Sequence, residues 1–368
     1  MEKVAVSLDE VIPGMITAES IMPNEKQIIL QKNTELTTNM IDLLKKWKIE
    51  SIYVKYQQAA VSQAHIKKPL PVKSHQLRLT YPSLQKKYNQ VAQISGNIFE
   101  HMRNMEYLPY DLFRQLIYPA LYDLLDEPEL LTRLYQLKPF MNDIHCHAVN
   151  VGLIAGLIGR WCGFKEPVVQ SLILSGVMHD IGKTQIPPSI LKKSTVHTLE
   201  EKEILKLHPF YGYYLIKSVP DAFPGIECAI LQHHEREDGS GYPQGIKSAA
   251  IHPFAKIIAI ADVYDTLTMS NDKKNLNLFS ALEIIINKMF LKFDPDYCKI
   301  FVRNALHSLN RATVLLSDNT QADVLYFPCF MSAKPLLKRT TGASLDLNQT
   351  TSISIIDIIS TSSCTAPS

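Results

Sequence analysis

The sequence predicts a mainly α protein flanked by small β-containing N- and C-terminal segments. Three observations carry that expectation. From about residue 138 to 307 the chain is helix-like nearly throughout, with loops marked by Pro187-Pro188, Pro220, Pro224-Gly225 and a Gly239-Ser240-Gly241-Tyr242-Pro243 turn. Residues 1–56 instead alternate short apolar runs with turn formers, and after Leu309 the character changes to β.

Taken in order, Val4 to Val6, Gly14 to Ala18 and 27–30 read as short strands separated by Pro13, Pro23-Asn24 and Lys32-Asn33. Thr37-Thr38 can cap a helix that carries Ile41, Leu44 and Trp47 on one side, and 49–54 closes this small α/β domain. Residues 57–137 form a polar, basic, Pro-containing linker to about 80, followed by a helical segment. The helical domain proper spans 138–307. Residues 308–368 make a β-rich end, with a hairpin over Thr313 to Phe327 and a further strand in TSISIIDIIS.

Length and composition bound the function. At 368 residues the chain is long for one core and suggests two or three domains. A hydrophobic share of 46% with 20% charge is globular, and a net charge of +2 gives no basic field, so nucleic-acid binding is not expected. The six cysteines include no C-x-x-C pair and read as thiols in a reducing compartment. No targeting segment is visible, and the apolar runs Val149 to Gly159 and Val168 to Met178 fall short of the ~18 residues of a membrane span. A cytoplasmic protein without a span is expected.

The chemistry concentrates in the helical domain, where eight of the twelve histidines fall between 145 and 252. Asp143 and His147 lie four apart and share a helix face; His145 points roughly the other way. His179-Asp180 ends an apolar helical run, and the two oxygens of Asp180 can bridge two cations. Lys183, one turn on, can hold a phosphate oxygen. His233 and His234 differ by about 100° on a helix, which suits neighbouring metals rather than one. Asp262 is a buried-looking carboxylate in an apolar helix and needs a cation or several donors, whereas Asp265 is the less persuasive of the pair. Mixed His and Asp ligands without cysteine fit iron or manganese better than structural zinc. Two such ions ~3.5–4 Å apart would serve an in-line phosphoryl displacement, so metal-assisted phosphodiester hydrolysis is the expected reaction class.

In order, His147, HDIGK (179–183), His208-Pro209, HHEREDGSGYP (233–243), ADVYD (261–265) and Phe293-Asp294-Pro295 resemble the HD-GYP family of the HD hydrolase superfamily. The match covers about 138 to 305, which makes the helical region an all-helical HD-type metal-binding domain; residues 1–56 are similar, more weakly, to the small domain often found ahead of it. The resemblance implies a phosphodiesterase that opens cyclic di-GMP to linear pGpG, GMP or both through a metal-activated hydroxide. It implies His147, His179, Asp180, His208, His233, His234 and Asp262 as metal ligands for two ions. Asp143 stands where some members place a Glu for a third. Asp180 and Lys183 become the catalytic residues, and Lys183, Arg236, Tyr242, Lys273 and Lys274 the substrate-binding set. The Gly-Tyr-Pro loop is similar to one that meets diguanylate cyclases (GGDEF proteins) and other signalling partners, and a homodimer is compatible with the pattern.

Three departures stand against the family pattern. After ADVYD an Arg-rich element is replaced by MSNDKKNLNL, leaving Lys273 and Lys274, which supply charge without the bidentate fork of arginine. The loop at 194–198 reads STVHT, and the β-like end lies outside the catalytic pattern. These keep two alternatives in view: a signalling scaffold that binds cyclic dinucleotide or partner proteins with weak catalysis, and a hydrolase for another nucleotide.

Overall fold

The computed structural model describes residues 3–8, 11, 15–19, 32–34, 36, 41, 44, 51–55, 81–103, 108–137, 144–191, 193, 195–269, 276–350 and 352–360. The strand expected at 27–30, Trp47, the 57–80 linker, Asp143, Lys273 and Lys274 lie outside them. The chain divides into two compact units, Met1–Val72 and Lys73–Ser368.

In the first unit, β1 (Lys3–Ser7) pairs antiparallel with β2 (Ser51–Lys55), placing Val4 opposite Val54 and Val6 opposite Ile52. The expected run at Gly14 to Ala18 joins them in part. The Ala18 N–H donates to the Tyr53 carbonyl at 2.8 Å, and the Thr17 N–H to the Thr34 carbonyl at 2.9 Å. Leu8, Val11, Leu36, Ile41, Leu44 and Ile52 bury together as its core.

The second unit is helical first and β afterwards. Its helices are α1 (Pro82–Met102), α2 (Tyr118–Leu124), α3 (Leu130–Leu137), α4 (Ile144–Trp161), α5 (Glu166–Met178), α6 (Leu199–Leu205), α7 (His208–Lys217), α8 (Ile226–Gln232), α9 (Pro253–Met269), α10 (Leu278–Lys292) and α11 (Pro295–Ser308). Helices α4, α5 and α9 are apolar nearly all round because each is surrounded by other helices: they pack on one another, with α1 against α4 and α8 against α9. Local signals fix their ends. Asp294 caps α11 by accepting from the backbone N–H groups of Asp296 and Tyr297, with Pro295 at the first helical position. The Phe-Asp-Pro string is thus a helix start. Thr198 and Glu201 close a reciprocal capping box on α6.

After α11 come β3 (Thr313–Leu316), β4 (Gln321–Tyr326), β5 (Leu336–Arg339), β6 (Ser344–Asp346) and β7 (Ile355–Ser360). They form one antiparallel sheet in the order β6-β5-β4-β3-β7. The expected hairpin is β3–β4 and the expected last strand is β7; β5 and β6 had not been anticipated. Val314, Leu316, Val324, Leu337 and Ile358 join the helices in a single apolar core. Glu283 on α10 accepts from the Ala333 N–H and the Ser332 hydroxyl, and Asn277 donates to the Ile355 carbonyl, which ties the sheet to the helices.

Candidate metal centre

The cluster residues are delivered by the ends or interiors of five helices. Helix α5 stops at Met178. His179 follows as its C-cap, and Asp180 (φ −98°, ψ 9°) begins a 3₁₀ turn, so both side chains enter the interior instead of continuing round the helix. Their residual exposures are 1% and 9%. Gly182 allows this turn to lie against α7, because a Cβ there would stand 1.9 Å from the His208 carbonyl oxygen. His208 opens α7, His233 follows α8 directly, His147 projects from α4, and Asp262 from α9.

Three of the imidazoles are oriented in the same way. Nδ1 of His179, His208 and His233 lies 2.7 Å from the backbone carbonyl three residues earlier, at Gly176, Leu205 and Ile230 respectively. A carbonyl only accepts, so Nδ1 carries the proton in each and Nε2 turns inward. The Nε2 atoms of His208 and His233 then face each other at 3.2 Å. Burial, reinforced by the neighbouring imidazoles of His234, His179 and His208, holds His233 neutral well below the usual histidine range. Its inward nitrogen is a lone pair. Nε2 of His179 and Oδ1 of Asp180 are buried and make no hydrogen bond among the described residues.

Asp180, His208, His233 and His234 each present one ligand atom, all within 4.8 Å of one another; His147, His179 and Asp180 form a second such group. Asp180 belongs to both. His233 and His234 fall in the same group, which differs from the expectation that adjacent imidazoles would serve neighbouring positions; the helix has ended at Gln232, so the 100° rule does not apply to them. Asp262 approaches from α9, its Oδ1 3.4 Å from His147 Nε2 and its Oδ2 4.0 Å from His234 Nδ1. Convergent, largely buried nitrogen and oxygen donors of this mixture fit divalent metal ions.

The charges are strongly coupled. Burial alone would raise the Asp180 carboxyl, but His179 and Lys183 beside it hold it well below the carboxylate range. Burial would lower His147, yet hydrogen bonds to Asp262 and Asp265 and their charges push it up to about 10. Burial pushes His234 down to about 3 despite the Asp262 carboxylate. The Lys183 ammonium pairs with Asp180 Oδ2, and Tyr242 stacks on His234 with ring centroids 4.6 Å apart. Arg236 donates to the His233 and Glu235 carbonyls and covers the Phe293 ring at 5.5 Å, contacts that hold its own turn.

Two residues given no site role from the sequence support the cluster. Asp265, judged unpersuasive from its spacing, is 2% exposed and accepts from His147 Nδ1 at 2.7 Å. Glu235, equally buried, accepts from the backbone N–H groups of Gln244, Gly245 and Ile246 at 2.6, 3.1 and 3.2 Å. It thereby ties the Gly-Tyr-Pro loop to the histidine pair. Gly241 is required by the same fold-back, since a Cβ would meet the Glu235 Cα and the His234 carbonyl oxygen at 2.4 Å. The signal for Asp265 was its position one turn beyond Asp262 on the same apolar helix.

Fold and cluster together define an HD-domain protein, and residues 122–297 match the HD domain family model. With its His-His-Glu and Gly-Tyr-Pro strings joined through Glu235, the chain resembles the HD-GYP family. It is 37% identical over 144 residues to the cyclic di-GMP phosphodiesterase response regulator RpfG of Xanthomonas campestris, covering 39% of this chain and 38% of that protein. It is 24% identical over 331 residues to the cyclic di-GMP phosphodiesterase PdeB of Borreliella burgdorferi, covering 84% of each. It is 31% identical over 161 residues to the 3'3'-cGAMP-specific phosphodiesterase 1 of Vibrio cholerae, covering 43% of this chain and 37% of that protein. The chain thus spans well under half the length of the first and third of these relatives. Among the described residues no helix is long and apolar enough to cross a membrane.

Proposed function

We propose that this chain is a metal-dependent phosphodiesterase that hydrolyses cyclic di-GMP to linear pGpG, GMP or both. The observation that carries the reading is the facing pair of buried Nε2 atoms on His208 and His233, 3.2 Å apart beside the shared Asp180. Two inward imidazole nitrogens at that distance need a proton or a cation between them, and the buried Asp180 carboxylate beside them favours a cation.

In this reading His147, His179, Asp180 and Asp262 hold one divalent ion, and Asp180, His208, His233 and His234 hold another, iron or manganese in each case. Asp143 is the residue that would serve a third. The bound ions would supply the Lewis acidity that activates water and offsets charge on the phosphoryl oxygens. The chain's own residues do the rest. The backbone carbonyls at Gly176, Leu205 and Ile230 keep Nδ1 protonated and Nε2 available. Burial alone would lower the Lys183 amine, but Asp180 beside it raises it instead; the ammonium therefore stays charged to take a phosphoryl oxygen. Tyr242 borders the substrate, with Arg236, Lys273 and Lys274 as further contacts. The proposal also takes in the division at 1–56, 57–137, 138–307 and 308–368, a cytoplasmic location, a homodimer, and GGDEF-type or other signalling partners at the Gly-Tyr-Pro loop.

The test is incubation of anaerobically purified protein with cyclic di-GMP and Mn²⁺ or Fe²⁺, with products resolved by chromatography beside a His179→Ala, Asp180→Ala control. Linear pGpG or GMP that falls to background in the control is expected. Binding without cleavage would overturn the enzyme reading. A second substrate, 3'3'-cGAMP, belongs in the same assay because one relative is named for it. Faster turnover of that dinucleotide would move the assignment within the same class.

A further inference from the structure

A continuous buried chain of hydrogen bonds runs from α1 to the metal centre. The Tyr88 hydroxyl on α1 donates to Asn150 Oδ1 at 2.7 Å, and also approaches the Cys146 carbonyl at 3.1 Å. Asn150 Nδ2 donates to Asp265 Oδ1 at 2.8 Å. The other oxygen of Asp265 accepts from His147 Nδ1 at 2.7 Å, and Nε2 of that ring faces Asp262. Tyr88, Asn150 and Asp265 are 1%, 1% and 2% exposed, so water does not compete for the links from Tyr88 through Asn150 to Asp265, while the His147 side chain at the far end is 25% exposed.

Each link constrains the next. Asn150 must present its amide nitrogen to Asp265, because a carboxylate only accepts, and its oxygen is thereby fixed toward Tyr88. Asp265 in turn fixes which nitrogen of His147 bears the proton and the angle at which the other meets the cluster. His147 differs here from His179, His208 and His233, whose Nδ1 atoms bond carbonyls of their own local turns. Unlike those three, its orientation is set from a distance, and the chain of contacts ends on α1. That helix is the first element after residues 57–80 in chain order.

We propose that Tyr88 is a positioning residue for His147, acting through Asn150 and Asp265, so that a displacement of α1 changes the hold of the cluster on its metal. The proposal rests on His147 as a metal ligand and not on the identity of the substrate. Because α1 precedes the cluster, it is the element through which a signal arriving from upstream would alter metal affinity without touching a ligand.

The test reads Mn²⁺ affinity directly. Metal-free full-length protein is titrated with Mn²⁺ and free ion is counted by electron paramagnetic resonance, for wild type, Tyr88→Phe, Asn150→Ala and Ser95→Ala. Tyr88→Phe keeps the ring and removes only the donor. Ser95 is also on α1, fully buried, and its hydroxyl makes no hydrogen bond among the described residues, so it controls for general disturbance of the helix. Removing outer partners of a ligating histidine weakens metal binding by about 10- to 100-fold. Asn150→Ala is expected in that range, Tyr88→Phe at about 3- to 10-fold, and Ser95→Ala within twofold of wild type. Mn²⁺ affinity in Tyr88→Phe equal to wild type would overturn the proposal, as would an equal loss in Ser95→Ala. Wild type that binds no Mn²⁺ would sink this proposal and the metal reading together. Wild type that binds Mn²⁺ but leaves cyclic di-GMP intact would sink only the substrate assignment, with the affinities still deciding the role of Tyr88.

Discussion

In the proposed site a proton and a metal ion would compete for the same nitrogen of His147. The imidazolium is held between Asp262 and Asp265, which raise it to about 10 against an ordinary value near 6.5. The folded value lies above the unfolded one, so the stabilisation it gives the metal-free protein is fully present below about pH 6.5. That stabilisation is lost as pH rises through about 10. Metal loading must expel this proton. Apparent Mn²⁺ affinity is therefore expected to climb by up to ~tenfold per pH unit between about 7 and 10. Calorimetry in buffers of different ionisation enthalpy would count about one proton released at pH 8, and a count of zero would show that another residue carries the coupling. At this scale the sequence was most legible where chemistry leaves no alternative, as in His179-Asp180 and His233-His234. It was least legible at Asn150, Asp265 and Glu235, because a polar residue on a buried helix face reads the same whether it steadies a ligand or satisfies a core contact.

Helix ends account for much of the site's shape. His179, His208 and His233 all sit at a helix boundary, where the i−3 carbonyl is open to a side chain instead of the next turn of helix. The Gly-Tyr-Pro loop depends on Glu235, just beyond the end of α8, for three of its backbone bonds. It is also fastened at its other side, where Lys292 at the end of α10 bonds Asp238 and Ser240. Glu235→Ala is expected to cost about 2 kcal/mol, since a buried donor left without its acceptor costs ~1–3 kcal/mol. Amide hydrogen exchange at 244–246 should accelerate in this variant while α4 and α5 stay protected. Unchanged exchange there would show that the Lys292 side alone holds the loop. Elements with strong punctuation were legible in advance, the Pro- and Asp-marked start of α11 among them. β5 and β6 were not, because four- and three-residue strands ending in Lys338-Arg339 and Asp346 carry no alternation to read.

The helices and the C-terminal sheet of the second unit share one apolar core, although the HD domain match ends at residue 297. Side chains on both sides of that limit are buried against each other: Phe279 stacks on Phe327 with centroids 6.2 Å apart, and Tyr135 on α3 reaches Asp357 on β7. A chain stopped after Leu309 would uncover the faces of α10 and α11 and leave the Glu283 carboxylate without its partners. Each fully buried apolar side chain contributes ~1.5–3 kcal/mol, and a whole domain is stable by only ~5–15 kcal/mol. The truncated protein is expected to show no cooperative thermal transition, whereas the full chain shows one. A sharp transition in the truncated form would mean the sheet merely decorates a self-sufficient bundle. For recombination, whether by evolution or by design, the exchangeable module is then larger than the family boundary implies. A chimera joined at the end of the HD match would inherit every proposed ligand and none of the wall behind α10, and so carry the site into a body that cannot close around it.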